Sequence, residues 1–217
     1  PPQPPLVRTN GAEPHATHGV GCRRPGPVLD SDAASAMLAY EHRPDPSWPF
    51  AFDCSQSFRL APDGLQMTLA MTNQSAQPAP AGLGWHPYFT KRPGSRIAVR
   101  ATGRWETGPD QLPTRRVPVT GVDAHCESLV VDHCFDGWDG AAQLRDAVMQ
   151  VTVRSDLSRV VVFTNGTRPY VAIEPVSHVN NAVHLYASGV PAQELGLRVL
   201  HPGESMMAQM AIEVEPA

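Results

Sequence analysis

The sequence predicts an all-β fold, one large antiparallel sandwich or barrel with few or no long helices. Three observations carry that expectation. Its 217 residues include 23 Pro and 17 Gly, which recur roughly every ten residues and cut the chain into short segments joined by turns. Within those segments apolar and polar residues alternate with the two-residue period of a half-buried strand. No linker or internal repeat divides the chain, and all-β units of this length commonly form one core, so residues 1–217 are read as a single domain.

Taken in chain order, Asp32 to Tyr40 is Ala-rich and short, is followed by His42-Arg43-Pro44-Asp45-Pro46, and is read as a strand. Phe58 to Thr72 holds two alternating runs around Pro62-Asp63-Gly64, a hairpin turn in which Pro fixes φ and Gly accepts a positive one. Ser95 to Arg100, Val148 to Val153, Val160 to Thr164 and Met207 to Val214 alternate in the same way and are further strands. Pro1-Pro2-Gln3-Pro4-Pro5 does not read as the opening of a folded domain.

Composition excludes several classes of function. The net charge is −4 and the arginines are scattered, so the basic stripe of a nucleic-acid binder is missing. Aliphatic, aromatic and Cys residues make up 41% of the chain, enough for a core, yet no apolar run approaches the roughly 18 residues of a membrane span. Cys22, Cys54, Cys126 and Cys134 lack CxxC spacing and are too sparse for a disulfide framework, which points either to a reducing compartment or to incidental thiols and favours a cytoplasmic protein. His125-Cys126 and His133-Cys134 are adjacent pairs whose side chains leave a strand on opposite faces, so neither pair easily grips one metal ion.

Three ionisable residues stand out against apolar surroundings. His86 lies in Gly84-Trp85-His86-Pro87-Tyr88-Phe89, where the backbone is tightly specified and aromatics crowd the ring. It is either a core histidine held by hydrogen bonds or a catalyst. Glu174 ends the apolar run Tyr170-Val171-Ala172-Ile173, and a carboxyl there is costly unless paired or used; a salt-bridged strand end is the alternative. Asp132 enters Val130-Val131-Asp132-His133-Cys134-Phe135, and the bland reading is a turn-capping aspartate, which is preferred for Asp136 and Asp139.

Read together, Asn73-Gln74-Ser75, the segment from Pro78 to Phe89, Asp132 to Trp138 and Ile173-Glu174-Pro175-Val176-Ser177 resemble, in order, the landmarks of the aldose 1-epimerase (galactose mutarotase-like) family. Thr17-His18-Gly19-Val20-Gly21-Cys22-Arg23-Arg24-Pro25-Gly26 is similar to a further family segment, keeping its histidine, glycines and arginine but not its aromatics. The resemblance runs from about Asn10 to the end. No match to the family's early Asn-Arg-Ile-type motif is found, Arg8 fitting it poorly, so the domain is expected to lack the family's first strands.

The resemblance implies a galactose mutarotase-like antiparallel β-sandwich that interconverts the anomers of a free aldose without cofactor or metal. It implies that Glu174 is the base and His86 the acid, that His18 bonds the sugar near its ring oxygen, and that Asp132 accepts bonds from hydroxyls remote from C1. Trp85 would offer an apolar face to the pyranose. The expected partner is a small aldose, with no nucleic acid and no membrane; nothing fixes the oligomeric state.

Three competing functions remain open. A mutarotase-like binder of a sugar or hexose phosphate would need clustered cations, for which Arg23-Arg24 and Arg115-Arg116 are the adjacent pairs. A carbohydrate-binding sandwich would use Trp48, Trp85, Trp105 and Trp138 as a stacking platform. A glycosidase would need a second carboxylate flanking the scissile bond.

Overall fold

In the computed structural model, which describes residues 15–217, the regular secondary structure is almost entirely antiparallel strand. In order these are β1 (Val28–Ser31), β2 (Ser35–His42), β3 (Phe52–Ala61), β4 (Gly64–Asn73), β5 (Ala79–Ala81), β6 (Tyr88–Thr90), β7 (Arg96–Val99), β8 (Gly103–Thr107) and β9 (Pro113–Pro118). They continue with β10 (Val122–His125), β11 (Val131–Asp136), β12 (Ala141–Arg145), β13 (Met149–Ser155), β14 (Arg159–Thr164), β15 (Tyr170–Val176), β16 (Arg198–Leu200) and β17 (Ser205–Pro216). Two short helices, α1 (Ala182–Ala187) and α2 (Ala192–Leu195), fall between β15 and β16.

A nine-stranded sheet runs β1-β2-β3-β4-β17-β13-β12-β7-β10, a six-stranded sheet runs β6-β15-β14-β11-β8-β9, and β5 pairs with β16. Strand alternation explains the layering. Met67, Met71, Ile97, Leu144, Val153, Ala208 and Met210 of the large sheet and Val131, Phe135, Val160, Val162, Val171 and Ile173 of the smaller one form a single buried cluster, so the core lies between the sheets. Burial of each fully enclosed Ile or Val contributes about 1.5–3 kcal/mol.

The strands expected from the alternation are present, and the Ala-rich segment is β2. Its entry is set by Asp32, whose carboxylate accepts from the N–H groups of Ala34 and Ser35. The expected hairpin joins β3 to β4 with Ala61 opposite Gly64, leaving Pro62-Asp63 as the loop. Gly64 serves differently from expectation: its φ is not positive, and glycine is needed because a Cβ would strike the carbonyl of Ile212 on β17.

The helices lay a second, smaller cluster over the outer face of the six-stranded sheet. Val179, Ala182, Leu185 and Leu195 pack on Trp105, Cys134 and Val161. Arg159 clamps this cover: its guanidinium donates to the carbonyls of Glu194 at 2.8 Å and Ser177 at 3.3 Å. The clamp meets α2 at its C-terminal end, where free carbonyls favour a cation. Gly196, with φ +65, turns the chain out of α2 where any Cβ would collide with Arg159 and the Ser177 carbonyl.

Candidate active site

The uncovered part of the outer face carries the expected acid, base and aspartate. On β15 Val171 and Ile173 point into the core, so Ala172 and Glu174 face outward; on β11 the same alternation turns Asp132 and Cys134 outward. Register then fixes two rows. Cys134, Val161 and Glu174 form one, and Asp132, Phe163, Ala172 and Tyr88 the next.

His86 enters the first row by the same logic. The β6–β15 register places Tyr88 opposite Ala172, and a bridge places Gly84 opposite Val176, so His86 falls between them, across from Glu174. The Trp85 N–H donates to the Pro175 carbonyl at 3.1 Å and the Ile173 N–H to the Pro87 carbonyl at 3.4 Å, fixing the approach. Gly84 is required here, because a Cβ would press on Pro175 and Val176. The result is a contact of 3.3 Å between His86 Nε2 and Glu174 Oε1.

Two further rings confine the imidazole. Tyr88 stacks on it with centroids 4.6 Å apart and its Oη lies 3.3 Å from the same Nε2. His18 meets it edge-on at 5.0 Å. His18 and Gly19 both adopt left-handed backbone, φ 63° and 65°, and this pair of turns swings the segment before the 3-10 turn Gly21–Arg23 toward His86. Non-glycine residues seldom hold that conformation, though histidine is among those enriched in it.

Burial and charge tune the pair. Glu174 has a side chain only 12% exposed, and burial, reinforced by the Asp132 charge, pushes its carboxyl up to about 8. Burial, with a smaller push from His18, lowers the His86 imidazole below its ordinary range. Nδ1 of His86 is buried and has no hydrogen-bond partner among the described residues.

The sequence pattern of the aldose 1-epimerase family matches residues 3–213. This chain belongs to the aldose 1-epimerase family. The uncharacterized Escherichia coli K12 protein YphB is 30% identical over 93% of this chain and 72% of its own. A crystal structure from E. coli K12, described provisionally as an aldose 1-epimerase, superposes with a TM-score of 0.84 at 28% identity, covering 96% of this chain and 74% of that one. The crystal structure of galactose 1-epimerase from Lactobacillus acidophilus NCFM shares the fold at 13% identity, with a TM-score of 0.68 over 87% of this chain and 65% of that one.

Within this aldose 1-epimerase fold, His86, Glu174, His18 and Asp132 gather on one face, while Trp85 does not join them. Adjacent to His86 on the same strand run, it points the other way and lies in the core between the sheets, 8% exposed. It therefore offers no face to a sugar beside His86. Trp105 and Trp138 are buried too, which removes three of the four tryptophans from the stacking platform of the competing carbohydrate-binding reading.

Other expectations are adjusted by the same geometry. Asp139 caps a turn through the Ala141 N–H, but Asp136 is a buried acceptor for Trp105 Nε1 and the Arg116 guanidinium. Arg116 is thus committed to Asp136 and Arg24 to Asp45, away from Glu174. Among the described residues no cluster of three or more His, Cys, Asp or Glu side chains is placed to hold a metal, and no helix is long and apolar enough to cross a membrane. Arg8 lies outside the described residues. Tyr88, Tyr170 and Phe163 are the wall residues that sequence reasoning passed over; the two-residue period counted from His86 and Glu174 points to the first two.

Proposed function

We propose that this protein interconverts the α and β anomers of a free hexose by acid–base ring opening. Glu174 takes the proton of the anomeric hydroxyl as His86 gives one to the ring oxygen. The C1–O5 bond breaks, the open-chain aldehyde turns about C1–C2, and closure from the other face runs the two transfers backward. His18 supports the acid near the ring oxygen, and Asp132 accepts hydroxyls remote from C1.

The observation that carries this reading is the 3.3 Å contact between His86 Nε2 and Glu174 Oε1 on the outer sheet face, beyond the part that α1 and α2 cover. Their shifts cross, the carboxyl rising to about 8 and the imidazole falling, so the sugar-free pair keeps its proton on Glu174, and both groups remain able to give and take a proton across the reversible cycle. Membership of the aldose 1-epimerase family supports the same chemistry.

The test is polarimetry of freshly dissolved α-glucose and α-galactose with purified protein. The protein is expected to accelerate the optical-rotation change above buffer, and E174Q or H86N to lose about 10²- to 10⁴-fold in rate. Binding without acceleration, or near-parental rates in both variants, would overturn the assignment.

A further inference from the structure

Nε2 of His86 has two oxygen neighbours at the same distance, Glu174 Oε1 and Tyr88 Oη, both 3.3 Å away. One ring nitrogen carries at most one proton, so it serves one of these oxygens fully at a time. A sugar whose anomeric hydroxyl engages Glu174 takes that carboxyl away from the imidazole. The phenol is not displaced in the same way: its ring is stacked on His86 at an interplanar angle of 25° and is held edge-on by Tyr170 at 5.0 Å, itself tilted against Phe163 at 6.1 Å. The three aromatics brace one another beside Ala172, whose small side chain is fully covered.

We infer that Tyr88 is a positioning residue of this site: its ring sets the imidazole plane of His86, and its hydroxyl holds the Nε2 proton while a sugar occupies Glu174. The inference rests on the acid–base reading of the pair. It divides Tyr88 into separable parts, stacking and hydrogen bonding. In the imidazolium form Nε2–H donates to Oη, so the hydroxyl favours the charged ring against the burial that disfavours it. Among the described residues the charged or titratable neighbours of His86 are Glu174 on β15, His18 on the preceding loop and Tyr88 itself, with Asp132 acting on Glu174 and Tyr170 on Tyr88.

Tyr88 is 57% exposed, so its replacement leaves the core intact. In Y88F the hydroxyl is lost and the stack kept; in Y88L both go. Y88F is expected to keep its KM for hexose within about twofold while kcat falls roughly two- to tenfold, the size of one hydrogen bond. Y88L should fall further. Imidazole NMR of the protein saturated with hexose should show the His86 titration moving to lower pH in Y88F. Parental kcat in both variants with an unmoved His86 titration would overturn the inference. Should the parent protein accelerate no mutarotation at all, the acid–base reading fails by itself, and the titration of His86 in Y88F still reads the hydrogen bond.

Discussion

Asp132 and Glu174 share the outer face of the six-stranded sheet, one row and two strands apart, and the Asp132 charge adds to burial in raising the Glu174 carboxyl. Two carboxylates so placed resist being ionised together. The acidity of the proposed base is therefore set partly by a residue on another strand.

Removing that charge should be visible directly. In D132N the Glu174 carboxyl is expected to titrate at lower pH than in the parent, followed by carbon NMR of labelled glutamate. If Asp132 also accepts a sugar hydroxyl, KM for hexose should rise roughly tenfold or more, the scale of a charged hydrogen bond. An unmoved titration would separate the two carboxyls electrostatically.

A carboxyl raised from 4.5 to about 8 also makes stability depend on pH. Between those values the folded chain holds the proton and the unfolded chain has released it, so stability falls as pH rises through the window. The full effect is on the order of 5 kcal/mol. The lowered His86 works oppositely, adding stability as pH rises toward its ordinary 6.5. Urea unfolding of the parent and E174Q isolates the carboxyl: relative to the parent, E174Q should gain stability steadily from pH 5 to pH 8.

Trp85 separates a core role from a sugar-binding one. W85A should destabilise the fold by about 3–5 kcal/mol, as large-to-small core replacements do. W85F, if folded, should leave KM for hexose within about twofold. A raised KM with undiminished stability would return Trp85 to the sugar.

The cysteines should differ sharply in reactivity. Cys22 is exposed, whereas Cys134 lies under the helices with its thiol pushed up to about 12 by burial. Mass spectrometry after brief alkylation of native protein is expected to find Cys22 modified and Cys134 untouched until denaturant is added.

How much of this was legible beforehand follows from which forces are local. Alternation located β4 and β17, because one face of each is more deeply buried than the other, whereas β14 is buried on both faces and reads as a continuous apolar run. Helices α1 and α2 were not foreseen: six and four residues are too few to show a period, and α1 starts from the left-handed Asn181. Their reason is tertiary, the covering of Cys134 and Val161 and the Arg159 clamp. At the site, His86 and Glu174 were visible as costly groups in apolar runs. Resemblance, not periodicity, placed Trp85 beside the sugar, although the rule that parts His133 from Cys134 also parts Trp85 from His86. Tyr88 could not be ranked from sequence because its importance lies in a distance to Nε2.

The proposed acid and base differ in how firmly the fold holds them. Glu174 belongs to an interior strand hydrogen-bonded on both sides, and His86 precedes β6, the outermost strand of its sheet. Edges open locally at lower free energy than interiors. Warming should therefore silence catalysis while most of the backbone remains protected, with amides at Trp85 exchanging ahead of those in β14, so that heat inactivation begins as a peeling of one border.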